Sequence, residues 1–442
     1  MSHIRQRDGS ADLLALHRVN PRHYPFLLQS VAHGTGQARY DILFAFPEQH
    51  IQLDDSSHDF LQQLDTQWQA AARGTTSTDS TLPFTGGWFL YLGYELAGQV
   101  EPSLSLPVAQ DSLPLAYAAR IPAAVIVDHQ QQQTFLTAEQ GRESLLKTID
   151  DELVLADKIA TASPDPVDIK LHEDDSRRYL HGVEQIKDYI VEGDVFQVNL
   201  SRCWRGESHT DLSPADIYQH LCKNNPAPFA GLALIDDAAV ISSSPERLVK
   251  VSNGRVETRP IAGTRPRSAQ ATGDHALKTE LLAHPKERAE HIMLIDLERN
   301  DLGRVCVPGS VTVDELMVLE SYAHVHHIVS NVSGQLRDGV TPGEVIRAVF
   351  PGGTITGCPK VRCMEIIAEL EAEGRGAYTG AMGYLNHNGD MDLNILIRTI
   401  TQQGAQLQLR AGAGIVADSV PEKELDETRA KARGLLLALT RH

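Results

Sequence analysis

The sequence predicts an α+β fold, a sandwich of mostly antiparallel sheets with helices packed around it. Three observations lead there. Asn388-Gly389 is a strong two-residue hairpin signal set between two apolar stretches. After it, Leu393, Ile395 and Ile397 alternate with Asp392, Asn394, Leu396 and Arg398, the period of a strand. Helical patterns elsewhere do not alternate one-for-one with strands, which argues against a doubly wound parallel sheet.

Taken in order, Arg39–Phe46 and Ala123–Asp128 are short, apolar and β-branched, and read as strands. Thr85–Gly98 is apolar, aromatic and punctuated by glycine, so it is expected to pack closely against another element. The polar, proline-containing stretch Ala160–Ser176 is the linker candidate. It separates an N-terminal region, 1–160, from a region 176–440, and the two are expected to form one interleaved fold. Beyond it, Tyr179, Val183, Ile186 and Ile190 recur at helical spacing up to Gly193, a helix stop. Asp194–Arg202 reads as a strand, and Ala238–Ser243 with Arg247–Ser252 as a strand pair around Pro245. Pro285 suits the first turn of a long helix. Within it, most residues from Ile292 to Leu297 are apolar, so burial on more than one face is expected. A turn near Gly404 leads into Ala405–Ser419, and a last helix runs from about Pro421 to Leu437.

Composition narrows the function classes. The 442 residues are 42% hydrophobic and 22% charged, an ordinary globular mix. The net charge of −18 repels phosphate backbones and anionic lipids, so neither nucleic acid nor membrane is the expected partner. No apolar run reaches the ~18 residues that a membrane helix requires, and the start lacks a signal-peptide pattern. The cysteines, Cys203, Cys222, Cys306, Cys358 and Cys363, are odd in number and never spaced C-x-x-C. Reduced thiols in the cytoplasm are expected.

Several segments carry chemistry. Glu287 and Glu290 stand one turn apart in the long helix; Glu424, Glu427 and Lys431 share one face of the last. Carboxylates converging from two helices suit Mg²⁺ holding an anionic substrate, whereas the plain alternative is two solvated helix faces. The run Pro351–Lys360, PGGTITGCPK, has glycines at P-loop spacing. Cys358-Pro359 stands where the lysine and hydroxyl residue belong, which leaves an anion site at a helix start or a structural turn. Arg259–Ser268 offers three arginines beside Gly263, either for a carboxylate or as a solvated basic loop. The small residues of Ala411–Ser419 mean close packing or close approach of a ligand. Tyr378 and Arg398 fall at the same end of the first hairpin, as a carboxylate clamp or a structural contact. Of His324, His326 and His327, one acid–base or orienting group is a better fit than a metal site. No G-x-S-x-G elbow and no amidotransferase cysteine motif is present.

Together, SSPERL, PIAGTRPR, RAEHIMLIDLERNDLGRV, PGGTITGCPKVRCMEII, AYTGAMGYL, NILIRT and GAGIVADSVPEKELDET resemble the chorismate-utilising enzymes throughout 176–440. That family includes anthranilate synthase component I, aminodeoxychorismate synthase component I, isochorismate synthase and salicylate synthase. The N-terminal region is similar more loosely, through YPFLLQS and GGWFLYLGYEL. The resemblance implies an anthranilate-synthase-like sandwich of two mostly antiparallel β-sheets flanked by helices. It also implies roles. Glu290 and Glu427 match the Mg²⁺ ligands, with Glu287 and Glu424 alongside. Glu246 matches the acid that protonates the departing 4-hydroxyl of chorismate. Tyr378, Arg398, Lys431 and the backbone of Gly412, Ala413 and Gly414 match the groups that hold the substrate carboxylates. Gly263 and Thr264 match the loop under the ring, and Thr354 and His327 match positions near the reacting carbons.

The branch follows from departures. Gln197 stands where the water-using members carry a lysine base, so ammonia is the expected nucleophile. Ala262 stands where many aminodeoxychorismate synthases have lysine, and alanine there is the usual anthranilate synthase form. QVNLSR, APFAGL, RYDILFA and the compact length look like aminodeoxychorismate synthase. Anthranilate synthases usually read P-Y-M around Pro228 and L-L-E-S near Leu27, against PFA and LLQS here. The resemblance therefore implies Mg-dependent amination of chorismate to 4-amino-4-deoxychorismate, for p-aminobenzoate and folate synthesis. Anthranilate formation is the alternative, and a binding protein without catalysis a further one. With no amidotransferase motif in this chain, a separate glutamine amidotransferase subunit is implied.

Overall fold

The computed structural model describes residues 2–31, 39–55, 57–72, 82–159, 167–208, 212–267, 271–321 and 325–440. Among these, the chain forms one twelve-stranded and one ten-stranded sheet, both antiparallel, with helices around them. Both sheets mix the two halves of the chain. Phe26–Gln29 pairs with Phe229–Ile235 in the larger sheet, and Gly87–Leu92 with Ala381–Asn386 in the smaller. The sheets meet over an aromatic core in which the Phe26 and Phe89 rings stack at 4.0 Å. The apolar, glycine-rich stretch at 85–98 belongs to this interface: Trp88, Phe89, Leu90 and Tyr91 are all buried.

Two expected strand boundaries differ, and both differences matter. Ala238–Ser244 lies in the larger sheet and Arg247–Ser252 in the smaller, so they are not a pair. The chain crosses between sheets at Pro245-Glu246, where proline has no N–H for a ladder. Likewise the stretch after Asn388-Gly389 is two strands, Met391–Ile395 in the smaller sheet and Thr399–Gln403 in the larger. Arg398, at φ +54, breaks the extended backbone between them. The crossings are tied together. Ile395 N–H donates to the Glu246 carbonyl at 3.0 Å, and Ser243 N–H to the Arg398 carbonyl at 3.1 Å.

The Ser176–Glu192 helix begins at an Asp175 cap and ends at Gly193, which takes φ +86. The Pro285–Gly303 helix buries Leu294, Ile295 and Leu302, but Ile292 is 45% exposed. A run of apolar residues sweeps about 100° per residue, so it cannot all face one core. The first part of the linker candidate, 160–166, lies outside the described residues. Its continuation is not a free tether, since Val167 and Ile169 are buried and Ile169 N–H bonds the Leu439 carbonyl at 2.7 Å. All five cysteines are free. Among the described residues, no helix is long and apolar enough to cross a membrane.

Candidate active site

Glu246 follows directly from the first crossing and is 5% exposed. The Thr354 hydroxyl, on a single turn at Gly353–Ile355, donates to its Oε1 at 2.7 Å. Burial raises the acid to about 8; the nearby charge of Glu298 pushes the same way, while Thr354 and Lys431 oppose it. At neutral pH this carboxyl is therefore a proton donor.

The strand Gln406–Ile415 runs antiparallel to Gln197–Glu207, with Gly414 opposite Asn199, Ala413 opposite Leu200 and Gly412 opposite Ser201. Side chains alternate along a strand. Ala413 is buried in the core, which leaves Gly412 and Gly414 on the other face. A Cβ on Gly414 would stand 2.4 Å from Gln197 Nε2, and one on Gly412 2.9 Å from the Tyr378 hydroxyl. The two glycines therefore let polar side chains lie across the strand. Gln197 uses that room to donate to Glu290 Oε1 at 2.5 Å.

Lys431 reaches the same strand from the last helix, donating to the Gly412 carbonyl at 3.0 Å and pairing with Glu427 at 2.8 Å. The Arg398 guanidinium, at the second crossing, donates to the Lys431 carbonyl. Burial pulls Arg398 down to about 10 and pushes Tyr378 up to about 12, so Arg398 stays a cation and Tyr378 a neutral phenol. Tyr378 is positioned from the N-terminal region. Glu95 accepts the Arg375 and Gly376 N–H groups at 2.6 and 3.1 Å, and the Arg375 guanidinium lies 5.5 Å from the Tyr378 ring.

On the opposite flank, Gly263 sits at φ +74 in a bulge between Ala262 and Thr264. A Cβ there would meet Glu287 Oε2 at 2.8 Å, so glycine is required for the helix to approach. Ala262 is buried opposite Ile328, and Thr264 pairs with His327. Burial lowers His327 to about 4, helped by the charge of Arg398, which makes it a neutral imidazole. His326 points elsewhere, fully buried between Ser321 and Asp274 at 2.8 and 2.9 Å. His324 lies outside the described residues.

The sequence-level candidates separate on this geometry. Gln197, Glu246, Glu290, Thr354, Tyr378, Arg398, Glu427, Lys431 and the Gly412–Gly414 strand form one connected cluster, with Ala262, Gly263, Glu287 and His327 along its edge. The basic loop is not an open anion trap. Arg259 pairs with Glu315 and Glu320, Arg265 with Glu280 and Glu287, and Arg267 with Asp274. The turn before Lys360 is structural too, since Lys360 is bound to Asp301 at 2.5 Å.

The acidic residues also bear on a metal. Glu290 reaches the Gly414 end of the glycine strand, within 3.6 Å of a Cβ placed there, and Glu427 is joined through Lys431 to its Gly412 end. Glu424 stands near enough to Tyr179 to bear on its phenol. Among the described residues, no three acidic, histidine or cysteine side chains stand close enough to enclose an ion. The donors are all oxygen and come from two helices, which fits a cation that takes one or two carboxylates and fills its shell with water and substrate.

Sequence reasoning missed the groups behind the cluster. Glu371 is buried between Arg375 at 2.6 Å and Arg410 at 2.8 Å, and Arg375 also donates to the Ile355 and Asn199 carbonyls. Glu298 and Asp301 lie further along the helix that carries Glu287 and Glu290. The spacing held a signal: these four acids fall within a stripe of about 80° on an ideal helix.

Residues 25–437 match the family described as chorismate binding enzyme. The chain belongs to the chorismate-binding enzymes. A Synechocystis relative named anthranilate synthase component I-like protein is 46% identical, over 83% of this chain and 75% of its own. The Bacillus subtilis protein named aminodeoxychorismate synthase component 1 is 42% identical, over 82% and 79%. The crystal structure of anthranilate synthase component I from Streptococcus pneumoniae superposes with a TM-score of 0.79 at 33% identity, covering 91% of this chain and 93% of that one. This chorismate-binding enzyme thus has relatives named for both amino-transferring branches.

Proposed function

We propose that the enzyme aminates chorismate to 4-amino-4-deoxychorismate, with Mg²⁺ bound and with ammonia supplied by a separate glutamine amidotransferase subunit. The observation that carries this reading is Gln197, held on Glu290 at the place where water-using relatives carry lysine. An amide cannot deprotonate water, whereas ammonia is a nucleophile without help from a base. Glu246 suits the acid that protonates the departing 4-hydroxyl, so that chorismate and ammonia become the aminated product and water. Tyr378, Arg398 and Lys431 offer donors to the two substrate carboxylates beside the Gly412–Gly414 strand. Glu290 and Glu427, with Glu287 and Glu424 alongside, would hold Mg²⁺, which neutralises the ring carboxylate and stabilises charge as the hydroxyl leaves.

Amination at the 4-position is supported by the Bacillus subtilis relative and by the residues on which the branches differ. Gln29, Tyr40, Pro228, Phe229 and Ala230 line one cavity of about 110 Å³, which none of Glu246, Glu290, Tyr378 or Lys431 lines. They mark a branch without touching the reacting group. Ala262 favours the second reading, anthranilate formation, because it offers no amine for a transient bond to the ring.

The test is the product formed by the full chain from chorismate, Mg²⁺ and ammonium. Material that an added aminodeoxychorismate lyase turns into p-aminobenzoate is expected; fluorescent anthranilate as the main product overturns the 4-amination. With glutamine in place of ammonium, no turnover is expected. Glutamine-dependent activity without a second subunit would remove the amidotransferase from the reading.

A further inference from the structure

Behind Thr354 stands a second buried carboxyl group. Glu298, on the Pro285–Gly303 helix, is 6% exposed and accepts the Gly353 N–H. Its Oε1 lies 3.3 Å from where a Cβ on Gly353 would be, and Leu297 Cδ2 lies 2.4 Å from that point, so only glycine lets the turn close on the helix. The next residue, Thr354, gives its hydroxyl to Glu246 at 2.7 Å. Two carboxyl groups thus hold successive residues of one short turn. One helical turn on, Asp301 binds Lys360, which also donates to the Val349 carbonyl at 3.2 Å. The helix is therefore anchored to both ends of the segment that carries the turn.

We propose that Glu298 is a positioning residue for Glu246: it fixes the Gly353–Thr354 turn that aims the Glu246 carboxyl, and its charge opposes ionisation there. The inference rests on the reading of Glu246 as the acid. Glu246 is faced by the Thr354 hydroxyl, the Ile261 N–H, Glu298 and Lys431. Glu298 is faced by Asp301, Lys360, the Thr258 hydroxyl and the Gly353 N–H. Burial is the main cause that raises both acids, Glu298 to about 7. For Glu246, a charged Glu298 adds to that burial, because two nearby carboxylates resist ionising together.

E298Q tests the inference, since it keeps an oxygen for the Gly353 N–H and removes the charge. The alkaline limb of the kcat/KM profile should move to lower pH by about one unit, the scale of a neighbouring charge. E298D keeps the charge and should leave the limb in place, whatever it does to kcat. A limb that stays put in E298Q, or moves equally in E298D, overturns the proposal. Glu298 is the first of the two to ionise, so E298Q should also let the Glu246 carboxyl ionise at lower pH than in the unmodified protein. Infrared titration of the carboxyl band reads this without turnover, and an unchanged titration also overturns the proposal. Absence of chorismate amination by the unmodified protein would strike the reading of Glu246 instead, and the infrared result would still decide the coupling.

Discussion

Gln197 donates its side-chain amide to Glu290 Oε1 at 2.5 Å, across the space that a side chain at Gly414 would fill. The pairing joins the strand at Gln197 to the helix at Glu290. It leaves a neutral, acceptor-bearing amide beside a carboxylate, and on the proposed function that amide cannot serve as a base for water.

Gly414 should therefore be intolerant of even a methyl group. Its φ is not in the left-handed region, so alanine fits the backbone, but the added Cβ overlaps Gln197 Nε2 at 2.4 Å. G414A is expected to fold with a near-normal melting temperature and to lose about 100-fold in kcat/KM with ammonium, the scale of a 1 Å misplacement. A variant with the parent rate would mean that the Gln197 position has no bearing on the reaction.

Glu290 and Glu427 should be needed for turnover and not for folding. Neither packs in the core: Glu427 is half exposed, on a helix whose apolar side holds it in place. E290Q and E427Q keep the shape and lose the charge that Mg²⁺ would neutralise. Activity should fall at least about 100-fold, as when a charge-stabilising group is removed from an active site, with an unchanged thermal melt. Mg²⁺ titrations of tryptophan fluorescence should weaken in both variants. Near-normal Mg²⁺-dependent rates in either would refute the metal assignment.

Much of the fold was legible in the sequence. Hairpin and strand patterns pointed to antiparallel sheets, and ordered motifs pointed to the candidate site residues. What could not be read was where the chain leaves one sheet for the other. Pro245-Glu246 reads as a turn within a strand pair, and Leu396–Arg398 as the continuation of one strand, because period-two alternation runs on through it. Only the pairing partners show that these corners meet, and their meeting places Glu246 and Arg398 in one site. The supporting ion pairs were hidden for another reason. Glu371, Arg375 and Arg410 are far apart in the chain or look like ordinary helix-end charges, and only burial makes them a network.

The pH profile follows from the state of Glu246. Its burial-raised value of about 8 means that the protonated form dominates below that pH and is lost above it. With rates normalised to free ammonia, kcat/KM should fall about tenfold per pH unit on the alkaline side, and E246Q should be inactive throughout. Thr354 stabilises the ionised form by donating to it, so T354V should move the limb to higher pH while lowering kcat. A limb unchanged in T354V would mean that Glu246 is not the group that titrates.

Ala262 offers the sharpest test of mechanism. It is buried on the strand Ile261–Pro266, next to the Gly263 bulge and two residues from the Thr264–His327 pair. On the proposed 4-amination, with no amine at 262, ammonia itself is the simplest nucleophile for the 2-position, with the 4-hydroxyl leaving as water after protonation by Glu246. A second ammonia then adds at the 4-position and expels the first. A262K would supply a side-chain amine in place of the first ammonia. The amine would bond to the 2-position as the 4-hydroxyl departs, and ammonia attacking the 4-position would free it again. Burial of the new side chain would favour its uncharged, nucleophilic form. The variant is expected to fold, to retain amination, and, with ammonia withheld, to accumulate protein carrying chorismate less one water. Intact-mass spectrometry reads that adduct directly. Full activity with no adduct would mean that position 262 does not face the 2-position; an adduct in unmodified protein would mean that another nucleophile already serves there.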